Sequence, residues 1–123
     1  MADYVCGFYL TNSGNSPVEG FLNALSDNTR GKFFSIRQLL EEFGHRLSQP
    51  YCKYLGKGIF ELRFGGIEGS IRIMYFFLDQ NTVIFTNGFV KRTDKVPKSE
   101  YKLATERRKI VISEQSQGGK RWE

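Results

Sequence analysis

The chain is poor in the residues that most often carry cross-links, metals or proton transfers: one histidine, two cysteines and three prolines in 123 residues. Cys6 and Cys52 lie far apart, with no CxxC spacing and no second pair, so the reading is two free thiols in a reducing compartment rather than a disulfide framework or a zinc site. His45 falls near a helix end beside Glu42 and Arg46, where a surface role is expected. Asp79 and Asp94 sit in turns without a partner at metal-ligand spacing, so no metal and no cofactor is expected. The Gly65-Gly66-Ile67-Glu68-Gly69 stretch reads as a turn and not as a phosphate-cradling loop. No apolar run approaches the length needed to cross a bilayer, and the longest, Ile73 to Leu78, is strand-sized. The start of the chain carries Asp3, no basic leader and no apolar core, so no signal peptide and no membrane partner are expected and the cytoplasm is the expected location. Internal repeats and low-complexity tracts are lacking as well.

What the chain does have is aromatic mass and localised charge. Aromatics make up 15% of it, with eleven Phe, enough for a genuine core in one domain of this length. The expected division is a single domain over 1–114 and a flexible tail over 115–123, whose Gln115-to-Glu123 composition suits a disordered end. The net charge is +5, and Lys91 to Lys109 holds eight cations against three acids, so the whole excess belongs to this stretch. A concentrated positive surface favours a polyanionic partner, although a solvated helix kept basic for solubility gives the same count.

Three strand-like runs follow one another from Gly58. Ile59 to Phe64 alternates Glu61 and Arg63 against Phe60, Leu62 and Phe64. Ser70 to Phe77 sets Arg72 between Ile71 and Ile73, pointing to the other face from both. Thr82 to Asn87 is short, β-branched and aromatic after the turn Asp79-Gln80-Asn81. An antiparallel meander is the economical arrangement, with the exit Gly88 to Lys95 bringing cations beside the face of Arg63 and Arg72.

Around this meander, Asp3 to Leu10 reads as an opening strand. Ser16-Pro17-Val18-Glu19 is a helix start, with a capping serine, proline at the first position and glutamate three past the cap, and the helix is expected from Pro17 to Leu25. Ser26-Asp27-Asn28 offers a second cap, and a longer amphipathic helix is expected from Gly31, buried through Phe33, Ile36, Leu39, Leu40, Phe43 and Leu47. Gly44 and Pro50 end it. Tyr51 to Lys57 reads as a connector. A last, poorly capped helix is expected from Pro97 to about Ser113. The fold class is α+β: an N-terminal strand and two-helix hairpin on a mainly antiparallel twisted sheet, with a short C-terminal helix.

The words SPVEGFLNAL, KYLGKGIFELRF, SIRIMYFF and GFVKRTDKVPKSEYKLATERRK, in this order, together resemble the toxins of the RelE/ParE superfamily, and in particular the phage-derived Gp49-like branch that includes the HigB toxins of type II toxin–antitoxin systems. The resemblance runs from Tyr9 to about Ile112. It implies a RelE-like fold, an endoribonuclease acting on messenger RNA in the ribosomal A site, and neutralisation by a helix-turn-helix, HigA-like antitoxin, with DNA contacted indirectly through that antitoxin. Position by position, Arg63 matches the arginine of the family's ELR word, Arg72 that of the following strand, Lys91 and Arg92 the basic pair after Gly-Phe, and Lys95 and Pro97 the K-x-P that opens the last helix. Many relatives carry a histidine before the Gly-Phe pair, where this chain has Asn87, which exchanges no proton near neutral pH.

RNA cleavage requires deprotonation of a ribose 2′-hydroxyl, its alignment on phosphorus, and stabilisation of charge on the phosphate oxygens. Arginines, lysines and tyrosines are the groups this chain offers. Arg63, Arg72 and Arg92 are candidates for gripping the phosphate, since guanidinium pairs bidentately with it. A lysine among cations gives up its proton more readily, which makes Lys91 or Lys95 candidates for general acid or base. Tyr75 and Tyr101 could stack on a base, and Lys98 could contact RNA. Each has a plainer alternative: Arg63 paired with a neighbouring glutamate, Arg72 in a cross-strand ion pair, Tyr75 in the core. At the level of function, the alternatives are a gyrase-directed or other non-nuclease member of the same fold, and an inactive phage product.

Overall fold

The computed structural model describes residues 3–123. Within them the order is β1 (Val5–Phe8), α1 (Pro17–Asn23), α2 (Asp27–Phe43), a 3-10 turn (Gly44–Arg46), β2 (Cys52–Gly56), β3 (Ile59–Gly66), β4 (Gly69–Phe77), β5 (Thr82–Lys91) and α3 (Lys98–Ser116). The strands form one open sheet in the order β1-β5-β4-β3-β2. β2 to β5 are an antiparallel meander, and β1 pairs parallel to β5 at the far edge. This α+β arrangement, a mostly antiparallel five-stranded sheet with three helices among the described residues, is consistent with the RelE-like fold that the resemblance implies.

Alternation along the strands gives the sheet two different faces. Leu62, Phe64, Ile73, Tyr75 and Phe85 point to one, where Val18 and Leu22 of α1 and Phe33 and Leu40 of α2 bury them. Gly88 of β5 lets α1 sit directly on the sheet, because a Cβ there would stand 2.6 Å from the Phe21 ring. Ile59, Met74, Phe76, Ile84 and Phe89 point to the other face and pack beneath Ala104 and Val111 of α3.

The ends of the elements differ from the sequence reading where the deciding contact is remote. α2 begins at Asp27 rather than Gly31: Ser26 Oγ accepts from Thr29 N at 3.2 Å, and the Glu68 carboxylate, in the β3–β4 turn, accepts from Ser26 N and from Thr29 Oγ1. A carboxylate at a helix N-terminus meets both free N–H groups and the positive end of the dipole. The Ser26 backbone bond, then the Thr29 bond, hold the Glu68 carboxyl below its ordinary value. α1 stops at Asn23, two residues short of the expected Leu25. Tyr51 to Lys57, expected as a connector, contains strand β2, whose Tyr54 ring lies 4.8 Å from Phe60 as a cross-strand aromatic pair. β5 does not end at Asn87 but continues through Gly88 and Phe89 to Lys91, after a bulge that leaves Thr86 as the extra residue. Of residues 115–123, expected as a flexible tail, Gln115 and Ser116 close α3 and the last three lie along β1: Phe8 and Glu123 exchange backbone hydrogen bonds at 2.9 Å, and Trp122 bridges Tyr9. The free edge of β1 supplies unpaired backbone groups, and the tail satisfies them. Cys6 and Cys52 are both free and buried.

Candidate active site

The strand registers set the candidate residues side by side. Arg63 on β3 stands opposite Arg72 on β4, and Ser70 on β4 stands opposite Lys91 on β5, all on the face that α3 shares. α3 covers one end of that face. The other end is an open cleft of about 420 Å³ lined by Arg63, Ser70, Arg72, Lys91, Arg92, Thr93 and Asp94. Four cations against one carboxylate make it an anion-attracting hollow.

Two arginines directly opposite each other repel. Glu61, two residues before Arg63 and on the same face, resolves the conflict, with Oε1 at 3.4 Å from Arg63 Nε and 3.5 Å from Arg72 Nε. Glu61 is 1% exposed and is the shared counter-ion, so both plainer alternatives, Arg63 paired with a neighbouring glutamate and Arg72 in a cross-strand ion pair, are present in the structure. Arg72 is buried as well, and its Nη1 donates to the Ile71 carbonyl at 3.0 Å. Burial lowers the affinity of Arg72 for its proton, Glu61 opposes that shift and Arg63 adds to it. Arg72 Nε and Glu61 Oε2 are buried without a hydrogen-bond partner. Unpaired polar atoms in such a place are costly for stability alone.

A second, more apolar hollow of about 500 Å³ touches the same two arginines and is otherwise lined by Ile36, Pro50, Tyr51 and Phe64. The arginine pair is therefore the wall between a cationic cleft and an aromatic one. Tyr51, 42% exposed at the second hollow, was not singled out in the sequence because its neighbours read as a connector.

Residues 20–109 match the profile of the family described as Phage derived protein Gp49-like (DUF891). The chain belongs to that family. Gp49-like proteins are phage-derived and toxin-like, within the RelE/ParE-like toxin superfamily. No curated protein matches the chain at a significant level.

In this Gp49-like protein, the remaining candidates do not join the arginine pair. Lys95 is exposed in the loop before α3 and lines no part of the cationic cleft; its carbonyl accepts from Thr93 Oγ1 at 3.0 Å. Lys98 and Tyr101 line a separate apolar hollow with Leu55 and Val96, and the Tyr101 hydroxyl donates to the Gly56 carbonyl at 3.1 Å. Tyr75, expected to contact RNA, lies in the core on the opposite face, the plainer of its two expected places: it is 1% exposed and stacks on Phe60 with centroids 5.3 Å apart. Its neighbours in sequence alternate with it, so Arg72 at the cleft and Tyr75 in the core follow from an odd spacing between them. Burial, and then its hydrogen bond with Cys52, push the Tyr75 hydroxyl far above its usual range.

Asn87 is a structural clamp. Buried at the bulge, its Oδ1 accepts from Thr86 Oγ1 at 2.7 Å, and its Nδ2 donates to the Glu100 carbonyl at 3.2 Å and to Glu100 Oε1 at 3.0 Å. These bonds hold the first turn of α3, whose N-cap Pro97 makes no side-chain cap bond. His45 stacks on Phe77 at 3.6 Å, away from the cleft residues. Among the described residues no three of His, Cys, Asp and Glu come together as a metal-ligand set, and no helix is long and apolar enough to cross a membrane.

The basic C-terminal stretch also divides. Arg107 Nη1 donates to the Thr86 carbonyl at 2.7 Å with its guanidinium 4.9 Å from the Tyr9 ring centre, so it fastens α3 to the sheet. Lys91 and Arg92 face the cleft, and Lys102 and Lys109 line another hollow with Arg108.

Proposed function

We propose that this protein is the HigB-like toxin of a type II toxin–antitoxin pair and cleaves messenger RNA in the ribosomal A site, blocking translation in the cytoplasm. The observation that carries the reading is the Arg63–Arg72 pair, held by Glu61 between a cationic cleft and an aromatic one. A nucleotide asks for both: guanidinium forks for the phosphate and an apolar seat for the base. In the step we propose, the 2′-oxygen attacks the adjacent phosphorus, the P–O5′ bond breaks, and a 2′,3′-cyclic phosphate and a 5′-hydroxyl result. Arg63 and Arg72 stabilise the added charge on the phosphate oxygens. Lys91, as the ammonium, gives its proton to the departing 5′-oxygen. The 2′ proton leaves to water in the open cleft or to a base that the ribosome presents, so cleavage of free RNA is expected to be slow. Arg92 at the rim draws the strand in. A helix-turn-helix antitoxin is the expected neutralising partner, and a short reading frame of that kind abutting this one would support it.

The test is cleavage of a message in a purified translation reaction, mapped by primer extension. Lys91→Ala, at a half-buried surface position, is expected to keep the parent's circular dichroism and thermal midpoint while cutting on the order of a hundredfold more slowly, the usual cost of losing one preorganised charge contact. Cutting at the parent's rate by both Lys91→Ala and Arg72→Ala would refute the site. Intact messages together with a DNA-damage response on induction would favour the gyrase-directed alternative.

A further inference from the structure

α3 and the β2–β3 turn enclose a second cationic hollow of about 290 Å³, lined by Lys57, Tyr101, Lys102, Thr105, Arg108 and Lys109. It shares no residue with the arginine cleft. Four cations line it and no carboxylate does; its two other side chains, Tyr101 and Thr105, donate their hydroxyl protons to the Gly56 and Lys102 carbonyls, at 3.1 Å and 2.8 Å, which leaves the cations to meet a ligand. The turn is built tightly: Tyr101 hydroxyl donates to the Gly56 carbonyl at 3.1 Å, and Gly58 N donates to the Tyr54 hydroxyl at 3.0 Å. Gly58 presses on Arg108, where a Cβ would stand 3.0 Å from Nε, and that Nε is buried without a partner.

Lys57 is the one non-glycine residue with positive φ among the described residues, at 53° between Gly56 and Gly58. Asparagine or glycine would occupy that conformation at lower cost. The tight β2–β3 turn imposes positive φ on its central residues, and with lysine at that position the turn sets an ammonium at the hollow, a costly backbone conformation of the kind that gathers at binding sites. We infer that the hollow formed by Lys57, Lys102, Arg108 and Lys109 is a second phosphate site, which takes the backbone of the same RNA strand beyond the cleaved bond. β3 leads from the turn that carries Lys57 to the arginine pair, and Ile59 to Arg63 covers roughly 13 Å of strand, a span that a single oligonucleotide can bridge. This rests on the proposal that the protein handles RNA.

The test is the salt dependence of binding a fluorescent single-stranded RNA of about a dozen nucleotides, by anisotropy. For single strands the slope of log affinity against log salt is about 0.7 for each phosphate contacted. Lys102→Ala/Lys109→Ala is expected to lower the slope by about 1.4 and weaken binding at low salt. Lys57→Asn is expected to lower it by about 0.7 while the thermal midpoint equals or exceeds the parent's. RNA binding by the parent with slopes unchanged in these variants overturns this inference and leaves the proposed function standing. Failure of the parent to bind RNA overturns both. Unchanged RNA slopes joined to weaker binding of a polyglutamate peptide would assign the hollow to an acidic protein partner instead.

Discussion

On the face under α1 and α2, the sheet presents Leu62, Phe64, Ile73 and Tyr75 to a closed apolar core, while on the face under α3 the same strands present Glu61, Arg63, Arg72 and Lys91. Coverage separates the two. α1 and the 17-residue α2 lie together over the first face, whereas α3 seats Ala104 and Val111 over only one end of the second. Where no helix lies, an apolar strand would be exposed, and charged side chains can instead be grouped around a solvent-open cleft. The difference teaches that the site is the uncovered half of a sheet face whose other half is ordinary core.

The strongest way to break this comparison is at its apolar half. Phe33→Ala removes a fully buried ring in contact with Phe8, Phe64 and Phe85 and is expected to cost about 3–5 kcal/mol in urea unfolding. A loss below 1 kcal/mol would mean that the two faces are not so different. The charged half should respond in another way. Glu61→Gln leaves Arg63 and Arg72 opposed without their counter-ion, at an expected cost of about 1–3 kcal/mol. Sulfate or phosphate should restore the thermal midpoint of this variant more than it raises the parent's, because the anion replaces the lost carboxylate. Equal response of the two proteins to sulfate would argue against an anion site at the pair.

Smaller effects are expected where the faces are tied to their helices. Asn87→Ala unfastens the first turn of α3 from β5 and should cost about 1 kcal/mol, with faster amide exchange confined to the start of α3. The smallest concerns Glu68 at the start of α2. Its carboxyl is held below the ordinary value by hydrogen bonds from Ser26 and Thr29, so its contribution is present above the unfolded value of about 4.3 and is lost as pH falls below it. Glu68→Gln should therefore lower the thermal midpoint at pH 7, and the gap from the parent should close as pH falls below about 4.

The elements with local signals could be read from the chain. Pro17 after Ser16 marks the start of α1, and the Ser16 hydroxyl accepts from Glu19 N as the spacing requires. Alternation of Glu61 and Arg63 with Leu62 and Phe64 announced β3, and the same rule placed Arg72 across from its neighbours. Alternation also held the information that Tyr75 and Arg72 face opposite ways. β2 was missed because Cys52 to Gly56 gains its pairing from β3 and not from a pattern of its own, and Tyr51 was missed with it. The edge segment at Trp122 left no signal because its composition is polar and its partner, β1, lies at the other end of the chain.

Sequence by itself determined which residues are charged, where they fall on each strand and therefore which face they share, since a strand's period of two is a property of the backbone. It determined the start of α1 too, since a cap acts across three residues. Tertiary structure alone decided that Arg63 meets Arg72, that Glu61 lies buried between them, and that Lys95, Lys98 and Tyr101 stand elsewhere. The reason is register: pairing of β3 with β4 and of β4 with β5 fixes which residues are neighbours, and that alignment comes from the turns, the bulge and the packing of the whole sheet rather than from any one segment.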